Sequence, residues 1–424
     1  MKILRKYLLP LIIGNKFSLT PAVVYNPQPG FVLRKRKRFT LPLLKPIVMT
    51  LMMVIAGVLF SAKSFGATIT NHNRQTPYVE QWMAGGQYSF TANDMLDISY
   101  VGNHGTNLLA TGLQWDQMSP GNLAQGNALF NAVPNPFFGH ITSSSCGLNN
   151  PTITVAQSLA PFPEYCSVFE NGPSVGTSSY DALQVTYTHR WHSGLDLNLS
   201  YTYSKFMDDV QGNSGWAFPG SGTSNLNSYN LAADYSVDAS NVPHRFVASY
   251  IYELPVGKGK AFGSEWSTPV NAILGGWAWS GILTAESGLP ISIQPASNNI
   301  GFGFNQRPNV VPGVNPIPSN QSINNWINPA AFSQPAAFTF GDAPRFFSNI
   351  HGPKYFDWDM AIQKYWNFTE SKRLQFRFEM FNALNHPDFF QPDTNLGDVS
   401  SGNFGRITSA YQARTAQVAA KFYF

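Results

Sequence analysis

The chain has 424 residues and a formal net charge of +4, with 12% charged residues, 14% aromatic residues and a mean hydropathy of −0.14. So small and scattered a positive charge gives no electrostatic footprint for nucleic acid, and the charged fraction is about half the roughly 25% usual in soluble domains. The recurrent segments alternate rather than run apolar throughout, which excludes a bundle of membrane-spanning helices.

Residues 1–66 differ in kind from the rest. Arg34-Lys35-Arg36-Lys37-Arg38 precedes an apolar run of 14 residues, 47–60, and small residues follow at Ser61, Ala62, Ser64, Gly66 and Ala67. Basic region, apolar region and small-residue exit are the order of a secretory signal, here expected as an apolar leader helix. An uncleaved anchor is the alternative. The basic region lies far from Met1 behind a second apolar patch, 8–13, which fits either an internal start or a leader joined by rearrangement.

From residue 67 onward the pattern has a period of two. It is visible at 96–100 and 183–187, clear in Leu195-Asp196-Leu197-Asn198-Leu199-Ser200-Tyr201-Thr202-Tyr203-Ser204, and present again at 246–254 and 356–360. Leu374-Gln375-Phe376-Arg377-Phe378-Glu379-Met380 alternates ionisable or polar groups with large apolar ones, and the last eight residues put Val418, Ala420, Phe422 and Phe424 on one face of a strand. About ten such segments approach the roughly 9–11 residues that a tilted membrane strand needs. A soluble sandwich can alternate too, but the outward positions here are repeatedly Phe, Tyr, Trp or Leu. The expected fold is all-β: an antiparallel transmembrane β-barrel over 67–424, closed by a strand whose Phe422 and Phe424 serve as its assembly signal to the barrel-assembly machinery.

Long Gly-, Pro- and Asn-rich connections are expected at about 110–178, 210–243, 296–353 and 387–405, and short turns at 192–194 and 367–372. Cys146 and Cys166 share the first long connection. In an exported protein they form a candidate disulfide. Neither lies in a Cys-x-x-Cys, and His140 nearby has no second ligand at suitable spacing, so no metal site is expected. Gly301-Phe302-Gly303-Phe304 follows no βα pattern and is loop, not a phosphate cradle. Asp208, Asp209, Asp234, Asp238 and His244 cluster around one connection, as rim carboxylates of barrel proteases do; without recognisable spacing they are expected to be solvated, and no catalytic residue is assigned. His189, His192 and His386 are read as interface or turn residues.

Several ordered segments carry a resemblance. Tyr180-Asp181-Ala182-Leu183-Gln184-Val185, His244-Arg245-Phe246, Leu254-Pro255-Val256-Gly257-Lys258-Gly259-Lys260, Gly275-Gly276-Trp277 with Ser287-Gly288-Leu289-Pro290, Gln306-Arg307-Pro308-Asn309, Trp326-Ile327-Asn328-Pro329, His351-Gly352-Pro353, Arg377 through Pro387, and the terminal Lys421-Phe422-Tyr423-Phe424 resemble the carboxy-terminal barrel region of the Oar-like TonB-dependent outer-membrane transporters. The likeness runs from about Thr76 to Phe424. It implies location in the bacterial outer membrane, lipid as a partner, and a barrel of about 22 strands with a plugged lumen, energised through the TonB system.

The sequence departs from that pattern: no plug domain fits between Gly66 and Thr76, and about half the strands are absent. A partial barrel with two unpaired edges is therefore expected, which must close into a narrower barrel, pair with another chain or fail to assemble, with a missing plug or half-barrel among its expected partners. Asp357, Asp359, Arg377, Glu379 and Lys421 are expected to face the lumen and to form an ion-paired wall. Three functions stay open: ligand uptake, a passive pore, and a loop-based adhesin or structural barrel. The sequence names no ligand-binding residue and no cofactor.

Overall fold

A computed structural model describes residues 66–69, 74–110, 113–192, 194–210, 226–302 and 304–424. The leader helix and signal segment expected within residues 1–65 lie outside them. Nine long antiparallel strands form one sheet: β1 (Tyr78–Ser89), β2 (Asp94–Leu109), β3 (Ser174–His192), β4 (Leu195–Asp208), β5 (His244–Glu253), β6 (Trp277–Glu286), β7 (Tyr355–Asn367), β8 (Arg373–Phe381) and β9 (Thr415–Tyr423). Each strand pairs with its neighbour in sequence, from β1 at one end to β9 at the other, and the two-residue strand Ser236–Val237 adds to the loop end of β4. Among the described residues the sheet is open: β1 and β9 each pair along a single edge.

The register explains why these segments are strands. Leu183, Val185 and Tyr187 lie opposite Tyr203, Tyr201 and Leu199; those continue to His244, Phe246 and Ala248, then Ala285 and Leu283, then Phe356 and Trp358. Further along, Met360, Ile362 and Trp366 face Met380, Phe378 and Leu374, which face Ala416, Val418 and Phe422. Directly opposed residues share a face, so these form one continuous apolar and aromatic surface. The other face carries Asp97, Gln184, Thr186, Thr202, Ser200, Asn198, Ser249, Thr284, Gln363, Gln375 and Gln417. A register slip of one residue would exchange the two faces completely.

Ionisable groups on the apolar face sit toward its ends. On β3 they are Asp181, which accepts from Tyr100 Oη at 2.5 Å, and His189, whose Nδ1 meets Asp94 Oδ1 at 2.6 Å. Eight residues separate them, about 27 Å along a strand at ~3.4 Å per residue, or roughly 21 Å after a ~40° tilt. That is close to the ~25 Å apolar band of an outer-membrane barrel.

Connections alternate in length. Four long ones, between β2 and β3, β4 and β5, β6 and β7, and β8 and β9, leave one end of the sheet, while those between β1 and β2, β3 and β4, and β7 and β8 are at most five residues long at the other. One connection departs from this alternation: 254–276 lies at the turn end yet contains the helix α1, Thr268–Leu274. With Pro269 inside its first turn, α1 starts where the missing N–H is harmless.

The apolar face makes a sharp prediction. Leu199→Lys places a charge in the middle of that face, whereas Ser200→Lys places it on the polar one. In phospholipid vesicles the first should cost roughly 2–4 kcal/mol and the second well under half of that, read from urea unfolding of the refolded chain. Equal losses would contradict the assignment of faces.

Candidate functional site

Where the sequence suggested featureless loops, the long connections build a cored layer. Met118, Leu123, Leu129 and Ala156 from 110–173 pack with Ile300 and Phe304 from 287–354. Ile291, Ile293, Ile327, Ala331, Phe332, Ala343, Phe347 and Ile350 form a second core with Leu396 and Phe404 from 382–414. Cys146 and Cys166 are joined by a disulfide with Cα atoms 5.7 Å apart, and Asn135 Nδ2 holds the adjoining turn through Leu148 O at 2.8 Å and Asn150 O at 2.7 Å. A cross-link spanning 20 residues restricts the unfolded chain by an amount worth about 3 kcal/mol. Gly66–Ile69 adds to this layer as a parallel strand against Ser167–Glu170.

One buried ion pair fastens the layer to the sheet, and a second ties two of its connections together. Arg345, only 3% exposed, donates from Nη2 to the carboxylate of Asp208 and to its carbonyl oxygen at 2.9 Å, with Nε 3.4 Å from Ser236 Oγ. Arg307 donates from Nη2 to the Asp234 carboxylate and from Nη1 to Ala233 O at 3.1 Å, while Leu226 N donates to Asp234 Oδ2 at 3.1 Å. Asp208 and Asp234 were expected to be solvated. They are 4% and 2% exposed, because the 287–354 connection folds over them and brings a guanidinium to each.

The remaining members of that cluster are held separately. Asp209 accepts from Thr177 N at 2.6 Å and Thr177 Oγ1 at 2.9 Å, Asp238 from Ser240 N at 2.8 Å, and His244 Nδ1 meets Tyr201 Oη at 2.8 Å. Among the described residues no group of His, Cys, Asp and Glu is arranged to hold a metal ion. Two resemblance motifs meet at a point where only glycine fits: a Cβ on Gly288 would stand 1.9 Å from Gly352 O.

Register places Asp357, Asp359, Arg377, Glu379 and Lys421 on the polar face, but not against opposite charges. Arg377 lies between Gln363 and Ala419, Lys421 opposite Gln375, Asp359 opposite Ile282, and Asp357 opposite Thr284. The ion-paired wall expected across strands is replaced by one pair within a strand, Arg377 Nε to Glu379 Oε1 at 2.5 Å. Glu379 also accepts from Gln417 Nε2, Asp359 Oδ1 from Asn382 N at 3.0 Å, and Lys421 Nζ sits 4.9 Å from the Tyr423 ring centre. The cross-strand pair on this face is one the sequence reading missed: Arg245 Nε to Glu286 Oε1, 2.8 Å, directly opposed on β5 and β6. Arg245 stands in His244-Arg245-Phe246 and Glu286 just before Ser287-Gly288-Leu289-Pro290, so the alternating pattern could have placed both. Their pairing needed the register.

This arrangement has a wide polar face crowned at one end by an ordered layer. It can line a passage or present a binding surface. A family profile described as outer membrane beta barrel domain matches residues 23–417. Among solved structures, the outer membrane transporter YddB from Escherichia coli aligns with a TM-score of 0.41 at 11% identity, covering 85% of this chain and 35% of that one. The siderophore receptor PiuA from Acinetobacter baumannii aligns with a TM-score of 0.15 at 12% identity, covering 82% of this chain and 55% of that one. The chain thus spans about a third of YddB and about half of PiuA. No curated protein matches the sequence.

Removing Arg345 leaves Asp208 buried without its partner, a loss of roughly 3–5 kcal/mol. In R345A, limited proteolysis should cut within 226–243 and 304–350 while the sheet keeps its heat-modifiable mobility; unchanged cleavage would show that the pair does not hold the layer.

The same layer should respond to pH. Burial pushes the Asp116 carboxyl up to about 6, opposed by the bond it accepts from Phe162 N at 2.9 Å and aided by Glu164. A folded pKa above the ordinary 3.8 means the neutral form is favoured on folding. The contribution is full below about 4 and lost as pH rises through about 6. Intrinsic-rate-corrected hydrogen exchange over 113–166 should be slower at pH 5 than at pH 8, and D116N should flatten that difference. A slope that survives in D116N would assign the effect elsewhere.

Proposed function

Since the chain belongs to the outer membrane beta barrel domain family and so resides in the bacterial outer membrane, we propose that its nine-stranded sheet is part of the wall of an Oar-like TonB-dependent transporter. The apolar face meets lipid, the polar face lines the lumen, and the cored layer of long connections lies outside the cell, where a ligand is first met. The single observation that carries this reading is the pairing pattern. Among the described residues seven of the long strands use both edges, while β1 and β9 each use one.

An open edge in hydrocarbon leaves a row of N–H and C=O groups unbonded, at several kcal/mol each. Strands supplied by further barrel sequence or by another chain remove that cost. The ordered sequence motifs described above point to the same kind of barrel. A plug and the TonB system are then the partners that would make uptake active, and the barrel-assembly machinery reads Phe422 and Phe424. No enzymatic step and no cofactor are part of this proposal; Asp208, Asp234, Asp209 and Asp238 are each engaged by structural partners.

The loop layer also favours a second reading, a passive barrel that binds through its outer surface. Two hydrophobic cores, a disulfide and two buried ion pairs are more order than a simple pore requires.

Outer membranes probed with an antibody to residues 415–424 separate the two. The transporter reading expects this strand in a heat-modifiable species far larger than 46.8 kDa, and ligand uptake that an uncoupler abolishes. A heat-modifiable species of 46.8 kDa that conducts ions in planar bilayers without an energy source would establish the passive barrel instead.

A further inference from the structure

Near its turn end the apolar face of the sheet carries a cation that breaks its pattern. Lys364 on β7 lies between Trp277 of β6 and Phe376 of β8, in the apolar register, and is only 2% exposed. A lysine on a lipid-facing strand costs up to about 2–4 kcal/mol at mid-membrane and little near the interface.

Its environment shows how that charge is satisfied. Lys364 Nζ donates to the carbonyl oxygens of Gly275, of Asn271 at 3.2 Å and of Ile273 at 3.4 Å, and lies 5.4 Å from the ring centres of both Trp277 and Trp366. Trp277 Nε1 donates to Ile273 O at 2.9 Å, and Trp366 Nε1 to Ala272 O at 2.7 Å. These acceptors are the last carbonyls of α1 and its cap, which carry the helix's negative pole; Asn271 O already accepts from Gly275 N at 3.0 Å, whereas the carbonyls beyond it are ones a helix end leaves without a partner in the helix. Three side chains that project from the apolar face therefore hold the carboxy end of α1.

It follows that α1 packs on the outside of the sheet, on the same side as the lipid-facing residues, at the turn end of the band. Its own apolar side chains stay uncovered: Ile273 is 67% exposed, Leu274 54% and Val270 39%. We propose that α1 is an interfacial anchor, seated in the inner leaflet of the outer membrane, with Ile273, Leu274 and Val270 among the phospholipid chains.

Continuity decides between lipid and a protein partner. The exposed side chains extend a surface that already faces hydrocarbon, and they are bordered by Trp277 and Trp366, residues whose rings favour the membrane boundary while their N–H groups stay bonded. Lys364 becomes an internal cap, with its charge spent on the helix terminus instead of on water. The anchor then sets how deep the turn end of the sheet sits, fixing the lower limit of the membrane-spanning band.

This inference rests on the reading of the apolar face as lipid-facing, and one experiment separates the two. I273C and L283C are made in the full-length chain with its disulfide intact, labelled with an environment-sensitive fluorophore, and reconstituted in phosphatidylcholine vesicles carrying doxyl groups at carbon 5 or carbon 12. Leu283 lies on the apolar face opposite Trp358, near mid-band. The expected result is strongest quenching of the 273 probe by the shallow doxyl and of the 283 probe by the deep one, with aqueous iodide several-fold weaker at both.

Quenching of 283 by lipid with 273 open to iodide, or shielded from every quencher, would place α1 in water or against a protein and overturn the anchor alone. Failure of lipid quenching at 283 would overturn the lipid-facing assignment and the anchor together.

Discussion

A peptide group in hydrocarbon has no water to bond, so within the apolar band every N–H and C=O must be met by a neighbouring strand. The rest of this molecule follows from that constraint. It forces nine segments into one antiparallel ladder, and the ladder fixes which residues oppose one another. Because side chains alternate with period two, it also sorts them into a surface of Leu, Phe, Tyr and Trp and a surface of Ser, Thr, Asn and Gln. Among the described residues β1 and β9 each keep one edge on which the same constraint is not met within the sheet.

Much of this sheet was legible in the sequence because the constraint writes itself as a two-residue period. Leu195 to Ser204 and Leu374 to Met380 read correctly as strands without any knowledge of their neighbours. The cored layer was not legible. Ile291, Ile293, Ile327, Phe347 and Phe404 meet across four separate stretches, at spacings that follow neither the strand nor the helix period. Helix α1 was hidden for a different reason: at seven residues it is too short for a 3.6-residue pattern to emerge. A signal was nevertheless present. Lys364 breaks the apolar alternation of β7, and such a local contradiction marks a place where something outside the strand supplies the compensation.

The charges teach a related lesson about what alternation can and cannot say. It places Asp357, Asp359, Arg377, Glu379 and Lys421 on one face, but pairing depends on how far each strand is displaced along its neighbour. With Arg377 set against Gln363 and Ala419, its nearest carboxylate is two residues away on its own strand. Arg245 and Glu286, directly opposed, find each other instead. Face is a property of one strand; partnership is a property of two.

The ion pairs buried in the layer act on a larger scale. Arg345 ties the connection between β6 and β7 to the end of β4, and Arg307 ties it to the connection between β4 and β5. Ile300 and Phe304 carry the same connection into the core built by the β2–β3 connection. Strands separated by several positions in the sheet are thereby linked at one rim. Backbone ladders alone allow a sheet to change its curvature by small shifts in twist, whereas a rim fastened across several strands resists such change. At the opposite end the contacts are local, with α1 gripping only β6 and β7 through Trp277, Lys364 and Trp366. The wall is therefore stiff where the long connections gather and held there by charge pairs that cannot be separated cheaply, while its turn end is held by local contacts.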